Sequence, residues 1–173
     1  MKCGREMQMT APFDQPVTAQ ILEFVRAIGL PVVLGEVEAD SFLPGISIAH
    51  GGLRIDPSRL QYPGDLLHEA GHLAMLPATE RHLCDGRLPV EGGQEMGAMA
   101  WSYAAALHLG LDAAVVFHDD GYKGDAASLL DNFRQGHYLG VPYLQWMGLS
   151  WESHQAAARG EKAYPYMRRW LLN

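Results

Sequence analysis

The chain has 173 residues, 48% of them hydrophobic and 19% charged, with a formal charge of −7 when histidine is neutral. That length and composition suit one globular domain with a core of its own. The acidic balance and the lack of any basic run argue against nucleic acid as the main partner and against an anionic membrane surface.

The first residues, Met1 to Gln8, hold no apolar stretch of signal-peptide type. No segment approaches the roughly 20 apolar residues that span a bilayer. Cys3 and Cys84 lack the spacing of a zinc knuckle or a redox motif. The expectation is a cytoplasmic protein with two unpaired thiols.

In chain order, residues 1–12 read as a flexible arm and residues 13–173 as a single domain. Asp14 and Pro16 mark the start of a first helix. Ile21, Leu22, Val25 and Ile28 recur along it at helical spacing, and Gly29 ends it. Pro31 to Val37 is short and β-branched and reads as a strand. Phe42 to Ala49 and Leu53 to Ile55 read as two more, around a turn at His50-Gly51-Gly52. A small antiparallel sheet is expected, with His50 at its surface.

The next helix, expected over 64–76, contains His68-Glu69-Ala70-Gly71-His72. Histidines four apart lie one turn apart on the same face of a helix, so both imidazoles reach one metal ion. A glutamate beside the first histidine is placed to serve as general base for a metal-activated water. Asp65 is the expected N-cap and Pro77 the stop, with Leu66, Leu67, Ala70 and Leu73 behind the histidines.

Residues 77–93 read as a loop holding His82 and Cys84. A second strong helix is expected over 94–109, rich in alanine, with Glu95 in its first turn. Residues 111–117 read as a short helix and His118 to Gly124 as a polar loop. Asp125 caps a further helix that ends at Gly136, and residues 141–149 read as a last packing helix. The aromatic tail, Tyr164, Tyr166, Trp170 and Leu171, is available to pack onto the body.

Two histidines do not complete a catalytic zinc site, which uses three protein ligands and a water. The metzincin pattern fails, because Ala78 and Met75 stand where its third histidine and its glycine belong. A gluzincin takes a glutamate from a later helix, and Glu95 fits best. Glu91 competes with it, as does an aspartate from the Asp119-Asp120 pair. The histidines and a carboxylate also suit non-haem iron, but both histidines on one helix favour zinc, one ion per chain.

The order of a strand at Gly52 to Asp56, the helix around His68-Glu69-Ala70-Gly71-His72 and the run Glu95-Met96-Gly97-Ala98 resembles the compact zincins of the ImmA/IrrE type, over roughly residues 31–109. The resemblance implies an α+β, minimal zincin-like fold: a small twisted sheet packed on the metal helix, with additional C-terminal helices. It implies His68, His72 and Glu95 as zinc ligands, and peptidase-type hydrolysis of a peptide or protein substrate with Glu69 as the base. A donor for the developing oxyanion is then needed, and Tyr122, His118 and His137 are the candidates. The alternatives are a metal-binding protein without catalysis and an interaction domain on the same fold, either as a monomer or as a homo-oligomer.

Overall fold

The computed structural model of the protein describes residues 10–86, 88 and 91–173. Most of the arm expected over 1–12 falls outside them; Pro12–Asp14 forms a 3₁₀ turn. The architecture is α+β, a three-stranded sheet with seven helices among the described residues. None of those helices is long and apolar enough to cross a membrane.

Helix α1 (Pro16–Ala27) begins with proline at its first position, where the missing N–H costs nothing. Asp14, the expected cap, lies in the preceding 3₁₀ turn, and Gln15 takes the cap position. Strands β1 (Val32–Leu34), β2 (Ile46–Ala49) and β3 (Gly52–Ile55) follow. The sheet is mixed rather than antiparallel. β3 is central, antiparallel to β2 and parallel to β1. The β2–β3 connection is a two-residue hairpin in which His50 and Gly51 both have positive φ, 49° and 72°. That turn matches the twist of paired strands.

Helix α2 (Pro63–Ala74) carries the two histidines. Its cap position is Tyr62, not Asp65; Asp65 stands within the first turn and its side chain is engaged elsewhere. Leu66, Leu67, Ala70, Leu73 and Ala74 are fully buried. A buried leucine contributes about 1.5–3 kcal/mol. Three of them outweigh the cost of keeping His72 from water, about 1–3 kcal/mol if it were unpaired.

The expected loop after Pro77 contains a short helix, α3 (Ala78–Arg81). Arg81 turns its guanidinium back onto the end of α2, to the carbonyls of Leu73 and Leu76 and to that of Leu172. The Leu172 N–H in turn donates to Ala74 O at 2.8 Å. These bonds satisfy carbonyls that a helix end leaves open.

Helix α4 (Gly92–His108) starts with a capping box between Glu91 and Gln94 and makes the most extensive helix contact of the fold, against α2. The two helices come close where Gly71 faces Ala98. A Cβ at Gly71 would lie 3.2 Å from Ala98 O. Glu95 is one turn before Ala98 on α4, and His68 is one turn before Gly71 on α2. The small-residue crossing therefore sets the distance between these side chains.

The rest of the chain wraps this pair. A 3₁₀ turn (Ala113–Val115), capped by Asp112, replaces the helix expected there. It lies so close to the start of α2 that a Cβ at Gly64 would sit 1.8 Å from Val115 O. Helices α5 (Ala126–Arg134), α6 (Val141–Trp146) and α7 (Ser153–Arg159) follow, the last in a stretch for which the sequence suggested no helix. One cluster of buried side chains joins these layers, from Ile21 to Met167, with Trp101 at its centre.

Candidate metal centre

His68 and His72 project from the same face of α2 with their rings nearly perpendicular, and their Nε2 atoms are 3.1 Å apart. Glu95 meets both. Its Oε1 is 3.1 Å from His68 Nε2 and its Oε2 is 3.3 Å from His72 Nε2. The histidine side chains are 12% and 5% exposed and the glutamate 44%, so the three donors are reached from one side only.

These separations suit a metal. A tetrahedral zinc with ligands at about 2.0–2.1 Å sets its donors about 3.3 Å from one another. The two imidazole nitrogens, 3.1 Å apart, have that spacing, and the Glu95 carboxylate meets them with one oxygen each, at 3.1 and 3.3 Å, a donor chemistry that suits zinc. Hydrogen bonds with His68 and His72 hold the Glu95 carboxyl far below the usual carboxylate range. Burial pulls the His68 pKa down, but the carboxylates around it, Glu95 first and then Glu69 and Asp65, together turn the net shift upward.

Glu69 stands beside the set with different surroundings. One of its carboxylate oxygens lies within 4.8 Å of donor atoms of both histidines. It too is a possible ligand, but the Glu95 oxygens are closer to both imidazoles. Glu69 has no hydrogen-bond partner among the described residues, and burial raises its carboxyl pKa. A carboxylate without a partner, in a largely closed wall, is suited to accept a proton.

Tyr122 arrives from the loop before α5. Its hydroxyl is 3.4 Å from His68 Nδ1, the ring nitrogen on the side away from Glu95. Burial pushes the phenol pKa up, so it stays neutral. The loop is pinned to α2 by a contact the sequence did not suggest. His118 Nε2 lies 2.7 Å from Asp65 Oδ1, both nearly buried. The Tyr62 ring stacks on His118 with centroids 3.9 Å apart, and the Tyr62 hydroxyl donates to Asp120. His118 Nδ1 is buried without a partner among the described residues.

The other candidates lie apart from the donors. His118 faces Asp65, and His137 is exposed at the end of α5, where its N–H donates to Asn132 O. Asp120 is committed to Tyr62, and Asp119 is exposed. Glu91 caps α4 instead of joining the histidines. His82 Nδ1 lies at Ala78 O and the Cys84 thiol at Glu80 O, so these two do not form a metal pair. The centre opens into a cleft of about 1490 Å³ between the sheet and the loop before α5. No family model matches the chain, nor does any curated protein or solved structure.

Proposed function

We propose that the chain is a zinc-dependent hydrolase of the peptidase type, built on a minimal zincin-like fold and similar in plan to the compact ImmA/IrrE-type zincins. The observation that carries this reading is the convergence of His68, His72 and Glu95 at 3.1–3.3 Å beside an unpartnered Glu69 at the base of an open cleft. A structural zinc site has no use for a spare carboxylate at that place.

His68, His72 and Glu95 would hold the ion. Bound zinc supplies an acidified water and a polarised substrate carbonyl. Glu69 accepts the proton of the attacking water and delivers it to the leaving amine. Its raised pKa brings it nearer to neutral pH, where it exchanges protons readily. Tyr122 orients rather than reacts. With His68 Nε2 turned to the ion, Nδ1 carries the hydrogen, and the Tyr122 oxygen accepts it. His118 and Asp65 keep Tyr122 at that post through the loop they anchor.

The test is metal content and hydrolysis together. Wild type purified without added metal is expected to hold about one zinc per chain, and Glu95→Ala to lose most of it. Glu69→Gln is expected to keep the zinc and lose about 100- to 10,000-fold in hydrolysis of a peptide pool, the usual contribution of a general base. Wild type that takes up no zinc when zinc is offered, or a Glu69→Gln variant as active as wild type, would defeat the proposal.

A further inference from the structure

Resting on the reading of this cleft as a peptidase-type site, we infer that its substrate is a cationic polypeptide segment, with lysine or arginine residues flanking an apolar stretch. Among the described residues the cleft is lined by nine acidic side chains and by only two lysines or arginines, Lys123 and Arg54. Asp65, Glu69 and Glu95 belong to the centre itself. The other six carboxylates line the rest of the cleft; of these Asp85 pairs with His50 and Glu91 caps α4.

Three of the six sit on one prepared element. Glu36, Glu38 and Asp40 lie on the connection from β1 to β2 and are exposed, while Val37 between them is buried and anchors the segment. Arg59 fixes its backbone from behind, donating to Val37 O at 2.6 Å and Ala39 O at 2.9 Å, and Asp56 accepts the Val37 N–H. Among the described residues the charges of these three have no ion-pair partner, on a backbone that Arg59 holds in place. Walls of low polarity strengthen such a field and raise the local concentration of cations.

Size and lining select a polymer over a small cation. The cleft volume, about 1490 Å³, exceeds the roughly 300–1,000 Å³ usual for small-molecule sites. Apolar side chains share the lining with the carboxylates. Phe42 stands 73% exposed at the lip, and Leu43, Leu88, Met99 and Leu129 line the interior. A lining that joins charges with apolar seats matches a polypeptide whose basic residues bracket an apolar one.

The experiment uses the full chain carrying Glu69→Gln and loaded with zinc. It is titrated by fluorescence anisotropy with two labelled octapeptides that share an apolar middle. One bears lysines at both ends and the other glutamates. The lysine peptide is expected to bind at least about tenfold more tightly at low salt, and the gap to shrink in concentrated salt as screening sets in. Adding Glu36→Gln, Glu38→Gln and Asp40→Asn is expected to remove most of the preference with zinc affinity unchanged. Equal binding of the two peptides, no binding of either, or a preference that survives the triple change overturns the inference. So does spermine competing as well as the lysine peptide of the same charge, since the site would then take a small polycation. Hydrolysis by wild type separates the two readings. A chain that binds the lysine peptide but never cleaves any peptide loses the peptidase reading and keeps the cationic cleft. A chain that cleaves both peptides equally well keeps the peptidase reading and loses the charge preference.

Discussion

Helix α4 has an open first turn and a packed middle of opposite character. Near its start, Glu95 is 44% exposed, charged, and held, among the described residues, by two histidine nitrogens. Six residues on, Trp101 is fully buried. Its ring lies 6.0 Å from that of Phe24 and 5.4 Å from that of Trp170, and its Nε1 donates to Trp170 O at 3.0 Å. Less than two turns, about 9 Å of helix, separates the two. The comparison teaches how a half-exposed carboxylate keeps a fixed place without a tight local cage. The packed middle sets the position and rotation of the whole helix, and Glu95 inherits both.

The largest expected effect comes from disrupting the packed middle. Trp101→Ala should destabilise the protein by about 3–5 kcal/mol, as large aromatic truncations in a core do. Urea unfolding measures it. Zinc affinity of whatever remains folded should fall as well, although Trp101 touches none of the donors. An unchanged affinity would mean that Glu95 is placed by its own turn of the helix and not by the middle.

Next in size is Tyr122→Phe. Losing a group that orients a metal-binding histidine costs about 10- to 100-fold in affinity, and a contact as long as 3.4 Å belongs at the lower end. About a tenfold loss is expected in a competition titration, with unfolding nearly unchanged. Loss of stability in place of affinity would assign Tyr122 to the packed region of the molecule.

A smaller effect is expected at the sheet side of the cleft. Asp56 accepts from the Ser58 hydroxyl at 2.6 Å and from the N–H groups of Ser58 and Val37, and these bonds, the Ser58 hydroxyl first, hold its carboxyl below the ordinary 3.8. A lowered pKa in the folded state adds stability that is present above the unfolded value and is lost as pH falls through the folded one. Urea midpoints measured from neutral to acid pH should therefore drop more steeply in wild type than in Asp56→Asn. Equal slopes would leave the order of the β1–β2 connection to Arg59 alone.

The smallest effect sharpens the comparison from outside. His50 and Asp85 are also a histidine–carboxylate pair, at 3.4 Å, but their side chains are 82% and 60% exposed. His50→Ala should change stability by less than about 0.5 kcal/mol, because exposed pairs contribute little. The pairing is the same as that of His68 with Glu95, and only the surroundings differ.

What the sequence disclosed followed from short-range chemistry. The four-residue spacing of His68 and His72 is itself a statement about one helix face, and Glu95 stood out because it opens a long alanine-rich helix after Gly92-Gly93. The hairpin at His50-Gly51 was equally local. What escaped depends on distant parts of the chain. Asp65 looked like a helix cap, which is the usual role of an aspartate before an apolar run, but His118, 53 residues later, claims its side chain. The parallel pairing of β1 with β3 cannot be read from strands whose apolar patterns suit either direction. Helix α7 was missed because its only fully buried side chain is Ala156, which leaves almost no apolar stripe to detect.

The bonds that close the C-terminal end of α2 bear on the order in which the molecule is finished. Leu172 and the Arg81 guanidinium take up the carbonyls behind His72, and Trp170 accepts the Trp101 N–H. A nascent chain that has reached His108 already contains His68, His72 and Glu95, yet lacks the residues that lock the two helices bearing them. The arrangement proposed to hold a cation therefore waits for residues 170–172, well after both helices have been made.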